Sequence, residues 1–234
     1  MNKYYKKSEI WFAVILIITY VVITSATDLI SKAATFIFHL VFSALLFAFI
    51  KKNGLMEKYG LVKTDKKAKD FLYYIPLIFL SSVNLWFGVK LNMPISETVF
   101  YVGSMLLVGF LEEIIFRGFL FKAMEKDSVK WAIIVSSVTF GIGHIINLFN
   151  GSGADLLSNL CQIFEATAFG FLFVILIYRG KSLIPAIISH SSINALSAFC
   201  NEEAYDGTVS IIVSVVLCAV ALGYALILNK RLKK

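Results

Sequence analysis

The sequence predicts an all-α polytopic membrane protein with about eight transmembrane helices, on three observations. Hydrophobic residues make up 59% of the 234-residue chain and charged residues only 16%, against about 25% charged in a typical soluble domain. The mean hydropathy is +0.81. The apolar runs extend unbroken for about 18–25 residues, the length at which a helix crosses a bilayer. Strands of a membrane barrel would alternate apolar and polar residues instead. Lipid offers no hydrogen-bond partner, so every backbone N–H and C=O has to be satisfied inside the chain, which helices achieve locally. The whole of 1–234 reads as a single integral-membrane domain.

Taken in order, the expected spans are 9–27, 33–50, 71–89, 97–122, 129–149, 159–178, 182–199 and 209–228. The first follows a basic stretch from Lys3 to Lys7 and could pass for a secretory leader. Its apolar run, Ile10–Ala26, is longer than the usual leader core of about 7–15 residues, so a retained span is expected. Pro76 and Pro185 fall near span starts, where a missing N–H costs little. The one loop of appreciable length, 51–70, carries seven lysines interleaved with Leu55, Met56, Tyr59, Leu61 and Val62. That pattern fits a segment lying on the anionic inner membrane surface, and it fits a solvated positive-inside loop equally well.

The net charge of +7 admits a nucleic-acid partner in principle, but its placement argues against one. Lys3, Lys6 and Lys7, the 51–70 lysines, Lys122, Lys126 and Lys130, Arg179 and Lys181, and Lys230, Arg231, Lys233 and Lys234 all fall on one side of an eight-span topology. The other side holds Lys32 and Lys90 with Asp28, Glu97, Asp155, Glu202, Glu203 and Asp206. By the positive-inside rule both termini should be cytoplasmic. Of the 22 basic residues only Arg117, Arg179 and Arg231 are arginine, a bias that fits an AT-rich bacterial genome and a bacterial cytoplasmic membrane. Cys161, Cys200 and Cys218 lie in or beside apolar runs, without CxxC spacing, and read as small apolar fillers.

A charge at the centre of a membrane helix costs about 2.5–3.5 kcal/mol on insertion scales, so each one needs a reason. The fourth span reads Gly109-Phe110-Leu111-Glu112-Glu113-Ile114-Ile115-Phe116-Arg117. Glu113 and Arg117 stand at i,i+4 in the favourable order and should pair. Glu112 is turned about 100° away and lacks a local partner. A purely structural ion pair would account for Glu113 and Arg117 but not for Glu112. The fifth span holds Phe140-Gly141-Ile142-Gly143-His144, where two small residues would let a second helix approach. The seventh holds His190-Ser191-Ser192-Ile193-Asn194, with His190 and Asn194 on one face. From the assumed cytoplasmic span ends, Glu112 lies about 15 Å deep, His144 about 21 Å, His190 about 12 Å and Asn194 about 18 Å, so one layer near the midplane can hold them. His39 and Asn84 reach similar depths without polar companions and read as structural. Glu165 is a further unpaired membrane acid and a secondary candidate.

An unpaired carboxylate, two imidazoles and an amide in a low-dielectric site suit hydrolysis by activated water. Burial makes a carboxylate a stronger base, and donors such as His190 and Asn194 can hold the oxyanion that forms when water attacks a carbonyl. No nucleophile elbow and no HExxH motif is evident. The set Glu112-Glu113-x-x-x-Arg117, Phe140-x-x-x-His144 and His190-x-x-x-Asn194 resembles the three-motif signature of the CAAX protease and bacteriocin-processing (Abi) family of intramembrane endopeptidases, whose eukaryotic members also have eight spans. The motif-bearing core is about 97–199. The resemblance implies Glu112 as general base with His144 as its partner, His190 and Asn194 as oxyanion donors, and Glu113 and Arg117 as supporting residues. It implies a membrane-associated protein or peptide as substrate, of the CAAX type or a peptide pheromone or bacteriocin. A proton-coupled transporter and a non-catalytic immunity or scaffold protein are the competing readings. A transporter would favour inverted repeats and broken helices. Family members are often labelled metalloproteases, and a zinc site would draw on Glu112, Glu113, His144 and His190. The expectation is nevertheless a metal-independent enzyme without cofactor: zinc on Glu112 would use up the base, and His190 has no evident acceptor for its second nitrogen.

Overall fold

The computed structural model describes residues 2–150, 155–204 and 207–232. Asp206, Lys233 and Lys234 of the charge count lie outside the described residues. The elements in chain order are α1 (Asn2–Lys7), α2 (Glu9–Asp28), α3 (Lys32–Lys52), α4 (Ile75–Ser81), α5 (Ile95–Glu113), α6 (Lys122–Met124), α7 (Val129–Gly143), α8 (Leu156–Gly180), α9 (Ile184–Leu196) and α10 (Gly207–Arg231), with short 3₁₀ turns between some of them. A π-helical stretch, Ile114–Phe121, joins α5 to α6. Among the described residues there is no strand, only an isolated antiparallel bridge between Val89 and Cys200. The fold is therefore all-α.

The caps that start these helices are written in the sequence. Ser8, Ser31 and Ser128 each accept an N–H from the first turn of α2, α3 and α7, and the Asp155 carboxylate accepts those of Leu157 and Ser158 at the start of α8. These bonds satisfy amides that have no partner within the helix.

Six stretches among the described residues are long and apolar enough to cross a membrane: Glu9–Asp28, Lys32–Lys52, Ile95–Met124, Val129–Leu148, Leu156–Gly180 and Gly207–Arg231. The expected spans 71–89 and 182–199 are not continuous helices of that length. In the first, Leu72, Tyr73 and Tyr74 adopt left-handed φ values of 51°, 53° and 60° just before Pro76, and the 7-residue α4 gives way to a 3₁₀ turn at Val83–Leu85. In the second, α9 has 13 residues and then a 3₁₀ turn, Ser197–Phe199. At about 1.5 Å per residue, α9 falls short of a hydrocarbon core about 30 Å thick. Apolar content in both segments looks like a span, but polar side chains of the first bond to the second. Ser81 Oγ lies 2.8 Å from Ser189 Oγ, and Asn84 donates to the Ile193 carbonyl at 2.7 Å. Irregular backbone is tolerated at membrane depth when protein covers it.

Contacts sort the loops into two ends. Glu9 pairs with Lys58 and Lys126, Leu183 N–H donates to Gly60 O, and Arg231 donates to Lys69 O. The first helix, the 51–70 loop, the 122–130 turn, the start of α9 and the end of α10 thus meet at one end. At the other end, Lys32 sits over the Tyr101 ring, Tyr101 bonds to Ser197 and Lys90 pairs with Glu203. The lysine-rich segments share a face, as alternation predicts. A fluorescent protein fused after Lys234 is expected to fluoresce, and alkaline phosphatase at the same position to stay inactive, while phosphatase inserted after Glu203 becomes active. An active phosphatase after Lys234 would reverse the orientation.

Candidate active site

Glu112 and Glu113 end α5 where the helix widens into the π-helical stretch. Such turns are rare and recur at functional sites because they release backbone groups and re-aim side chains. The Phe116 carbonyl in this stretch accepts the Ser136 hydroxyl of α7 at 2.9 Å. Arg117 and Glu113 are completely buried and paired, with Nη1 at 3.0 Å from Oε1. The guanidinium lies 4.0 Å from the Phe140 ring centroid and 5.7 Å from that of Phe173. Arginine suits this place because a planar cation can stack on aromatic faces while it pairs with a carboxylate.

His190 joins the two glutamates. Its Nδ1 lies 2.8 Å from Glu113 Oε1 and its Nε2 lies 3.4 Å from Glu112 Oε2. Packing makes this reach feasible. A side-chain carbon on Gly109 would stand 2.6 Å from Ser191 Cα, so glycine is what lets α5 and α9 touch. Ser191 Oγ donates to the Leu106 carbonyl in the same contact. The expectation that His190 lacks an acceptor for its second nitrogen is corrected here, because Glu113 provides one. The sequence could not display this bond, which spans 77 positions.

Glu112 is the more accessible carboxylate, with its side chain 15% exposed. It has no local partner, but it has two distant ones, His190 and Tyr20. The Tyr20 hydroxyl, from α2, donates to Oε1 at 2.9 Å. Tyr20 carried no signal in sequence, since a single tyrosine in an apolar run reads as core.

His144 ends α7 and is not hydrogen-bonded to the glutamates or to His190. Its Nδ1 lies 3.0 Å from the Phe140 carbonyl. A carbonyl only accepts, so Nδ1 carries the proton and a neutral ring presents an unprotonated Nε2. The Phe140 ring touches both imidazoles edge-on, at 5.1 Å from His144 and 5.6 Å from His190. Of the flanking glycines, Gly141 is the close approach, where a Cβ would stand 2.8 Å from the Ile163 carbonyl of α8, and Gly143 faces open space. The Asn194 side-chain amide has no hydrogen-bond partner among the described residues, although its carbonyl accepts from Ser197. The remaining candidates separate cleanly. His39 is fully buried between the Thr24 and Ser104 hydroxyls, and Asn84 is held by α9. Glu165 faces Ser214 of α10, away from this cluster.

The donors do not present a ready zinc site. Glu112 faces His190, Glu113 is taken by Arg117 and His190, and His144 stands apart. Among the described residues no three His, Cys, Asp or Glu side chains converge as metal ligands.

A Glu–His–Glu–Arg cluster thus lies within the helical membrane bundle. Residues 94–196 match the model of the family described as type II CAAX prenyl endopeptidase Rce1-like, which is similar to the family that the three motifs resemble. A search of curated proteins found no match.

Proposed function

We propose that the protein is an intramembrane endopeptidase that hydrolyses a peptide bond of a membrane-associated protein or peptide through water activated by Glu112. The observation that carries this reading is the clamp on His190, held between Glu112 and Glu113 in a buried site within the matched stretch. Glu113 Oε1 accepts from Arg117 Nη1, and His190 donates to the same oxygen through Nδ1–H. A neutral His190 then presents only a lone pair to Glu112. A proton held between Glu112 Oε2 and His190 Nε2, 3.4 Å apart, would make them a general acid–base pair.

In the proposed reaction, water bound to Glu112 and to the free Nε2 of His144 loses a proton to Glu112 as its oxygen attacks the peptide carbonyl. The free Asn194 amide donates to the resulting oxyanion, joined by Nε2–H of His190 when it holds the shared proton. Glu112 then passes its proton to the departing nitrogen as the C–N bond breaks. The second proton of the water passes from the new carboxyl group to the freed amine, so the products are a carboxylate and an ammonium group. CAAX-type protein substrates and peptide pheromones or bacteriocins both fit an enzyme with its base inside the membrane. The site lies in a bacterial cytoplasmic membrane with both termini on the inner side.

The reading is tested by purifying the protein, reconstituting it and following cleavage of candidate peptides by mass spectrometry, alongside the termini of membrane peptides in cells. Cleavage should persist after treatment with 1,10-phenanthroline, and elemental analysis should find no stoichiometric metal. Loss of activity on chelation with recovery on adding zinc would make Glu112, Glu113, His144 and His190 a rearranged ligand set and overturn the metal-free mechanism. No cleavage difference between wild type and Glu112→Ala would favour the scaffold or immunity role.

A further inference from the structure

The site as described takes its chemistry from α5, α7 and α9, all inside the matched stretch. One contact comes from outside it. Tyr20 is 5% exposed and sits near the middle of the 20-residue α2, not at a helix end. Membrane tyrosines concentrate at the two interfaces, where the hydroxyl reaches water. A phenol in the middle of the bilayer needs an acceptor within the protein, and here that acceptor is Glu112 Oε1 at 2.9 Å.

Two sets of contacts fix the hydroxyl there. At the lysine-rich end of α2, Glu9 is bound at 2.8 Å by both Lys58 and Lys126. Lys126 lies five residues beyond the π-helical stretch, just after α6, so this clamp sets the register of α2 against the helix that carries Glu112. Eleven residues on, about 16 Å along the axis, the Tyr20 ring rests against His39 at 5.8 Å between centroids. His39 is itself locked between Thr24 and Ser104. The ring is held by packing, and its hydroxyl has one hydrogen-bond partner among the described residues.

Resting on the endopeptidase reading, we infer that Tyr20 is a positioning residue for the base. Its O–H occupies one lone pair of Oε1 and fixes the rotation of the carboxylate. Oε2 is then turned to His190 Nε2, and the remaining lone pairs point to where water binds. Without that bond the carboxylate rotates freely, and the proton shared with His190 loses its fixed geometry. Helix α2 is thus part of the site even though it lies outside the stretch that carries the family motifs.

Tyr20→Phe removes the hydroxyl and keeps the ring on His39. In the reconstituted protein, kcat is expected to fall about 10–100-fold, the loss typical of one hydrogen bond to a charged group. KM and the thermal unfolding midpoint should be unchanged. Infrared spectroscopy provides a readout independent of turnover. The Glu112 carboxylate band, assigned by difference from Glu112→Gln, should shift in Tyr20→Phe. If that variant accumulates poorly, 3-fluorotyrosine at position 20 keeps the shape and makes a stronger donor, and the band should move in the opposite direction. An unmoved band with kcat within about twofold of wild type would overturn the inference, as would a rise in KM at constant kcat. If wild type and Glu112→Gln cleave alike, the endopeptidase reading fails. The infrared shift still decides whether Tyr20 holds the carboxylate.

Discussion

Glu112→Ala is expected to lower cleavage by about 10²–10⁴-fold, the usual contribution of a general acid–base group, while the protein still accumulates in membranes. The structure supplies the reason for both halves of that outcome. Glu112 is the partly exposed carboxylate of the pair and carries no buried countercharge of its own, because Arg117 belongs to Glu113. Removing it leaves Tyr20 and one nitrogen of His190 without a partner, but strands no buried ion. His144→Ala should lose activity in the same range, since it removes the free Nε2 and otherwise breaks one bond to the Phe140 carbonyl. His190→Ala should also inactivate, with a larger effect on stability because its ring fills space beside Phe140 and Phe173. Turnover of a defined peptide, normalised to folded protein by size-exclusion chromatography, measures all three. Near-normal cleavage by Glu112→Ala would remove it from the role of base.

Much of this site was legible because polar residues in lipid are few and costly. Glu112, Glu113, Arg117, His144, His190 and Asn194 stand out against runs of Leu, Ile and Phe, and i,i+4 spacing alone joins Glu113 to Arg117. What spacing cannot carry is contact between helices. The link from His190 to Glu113 depends on Gly109 meeting Ser191, and the link from Glu112 to Tyr20 on how α2 docks. Depth arithmetic allowed His144 to meet Glu112, but depth leaves the rotation of α7 open, and the structure joins the two motifs through Phe140 instead. The fold class followed from composition. The helix breaks at 71–89 and 182–199 did not, because hydropathy averages over serines and an asparagine whose partners lie on other segments. Ser81 and Ser189 are 108 positions apart, and each looks like an isolated polar residue until α4 and α9 are side by side.

Arg117→Ala should be the most destabilising of the site substitutions. Arg117 and Glu113 are both fully buried, and removing one partner of such a pair typically costs about 3–5 kcal/mol because the other is left charged without compensation. Glu113 would keep only His190, and would be expected to take the Nδ1 proton of that imidazole. Activity and stability should therefore fall together, unlike in Glu112→Ala. The aromatic cradle adds to the cost, since deleting the guanidinium leaves a void against the Phe140 and Phe173 rings. Glu113→Ala should be comparably damaging, with a buried guanidinium left whose Nε and Nη2 already have no hydrogen-bond partner among the described residues. The two effects should not add. Glu113→Gln combined with Arg117→Met removes both charges and keeps most of the volume, so it should recover much of the yield and thermal midpoint lost in either single alanine variant. Activity should stay low, because a neutral amide no longer fixes the proton on Nδ1 of His190. Yield, unfolding midpoint in detergent and turnover of the two single variants and the double variant measure this. If Arg117→Ala unfolds at the wild-type midpoint, or the double variant is less stable than both singles, the pair does not carry the structural charge balance assigned to it.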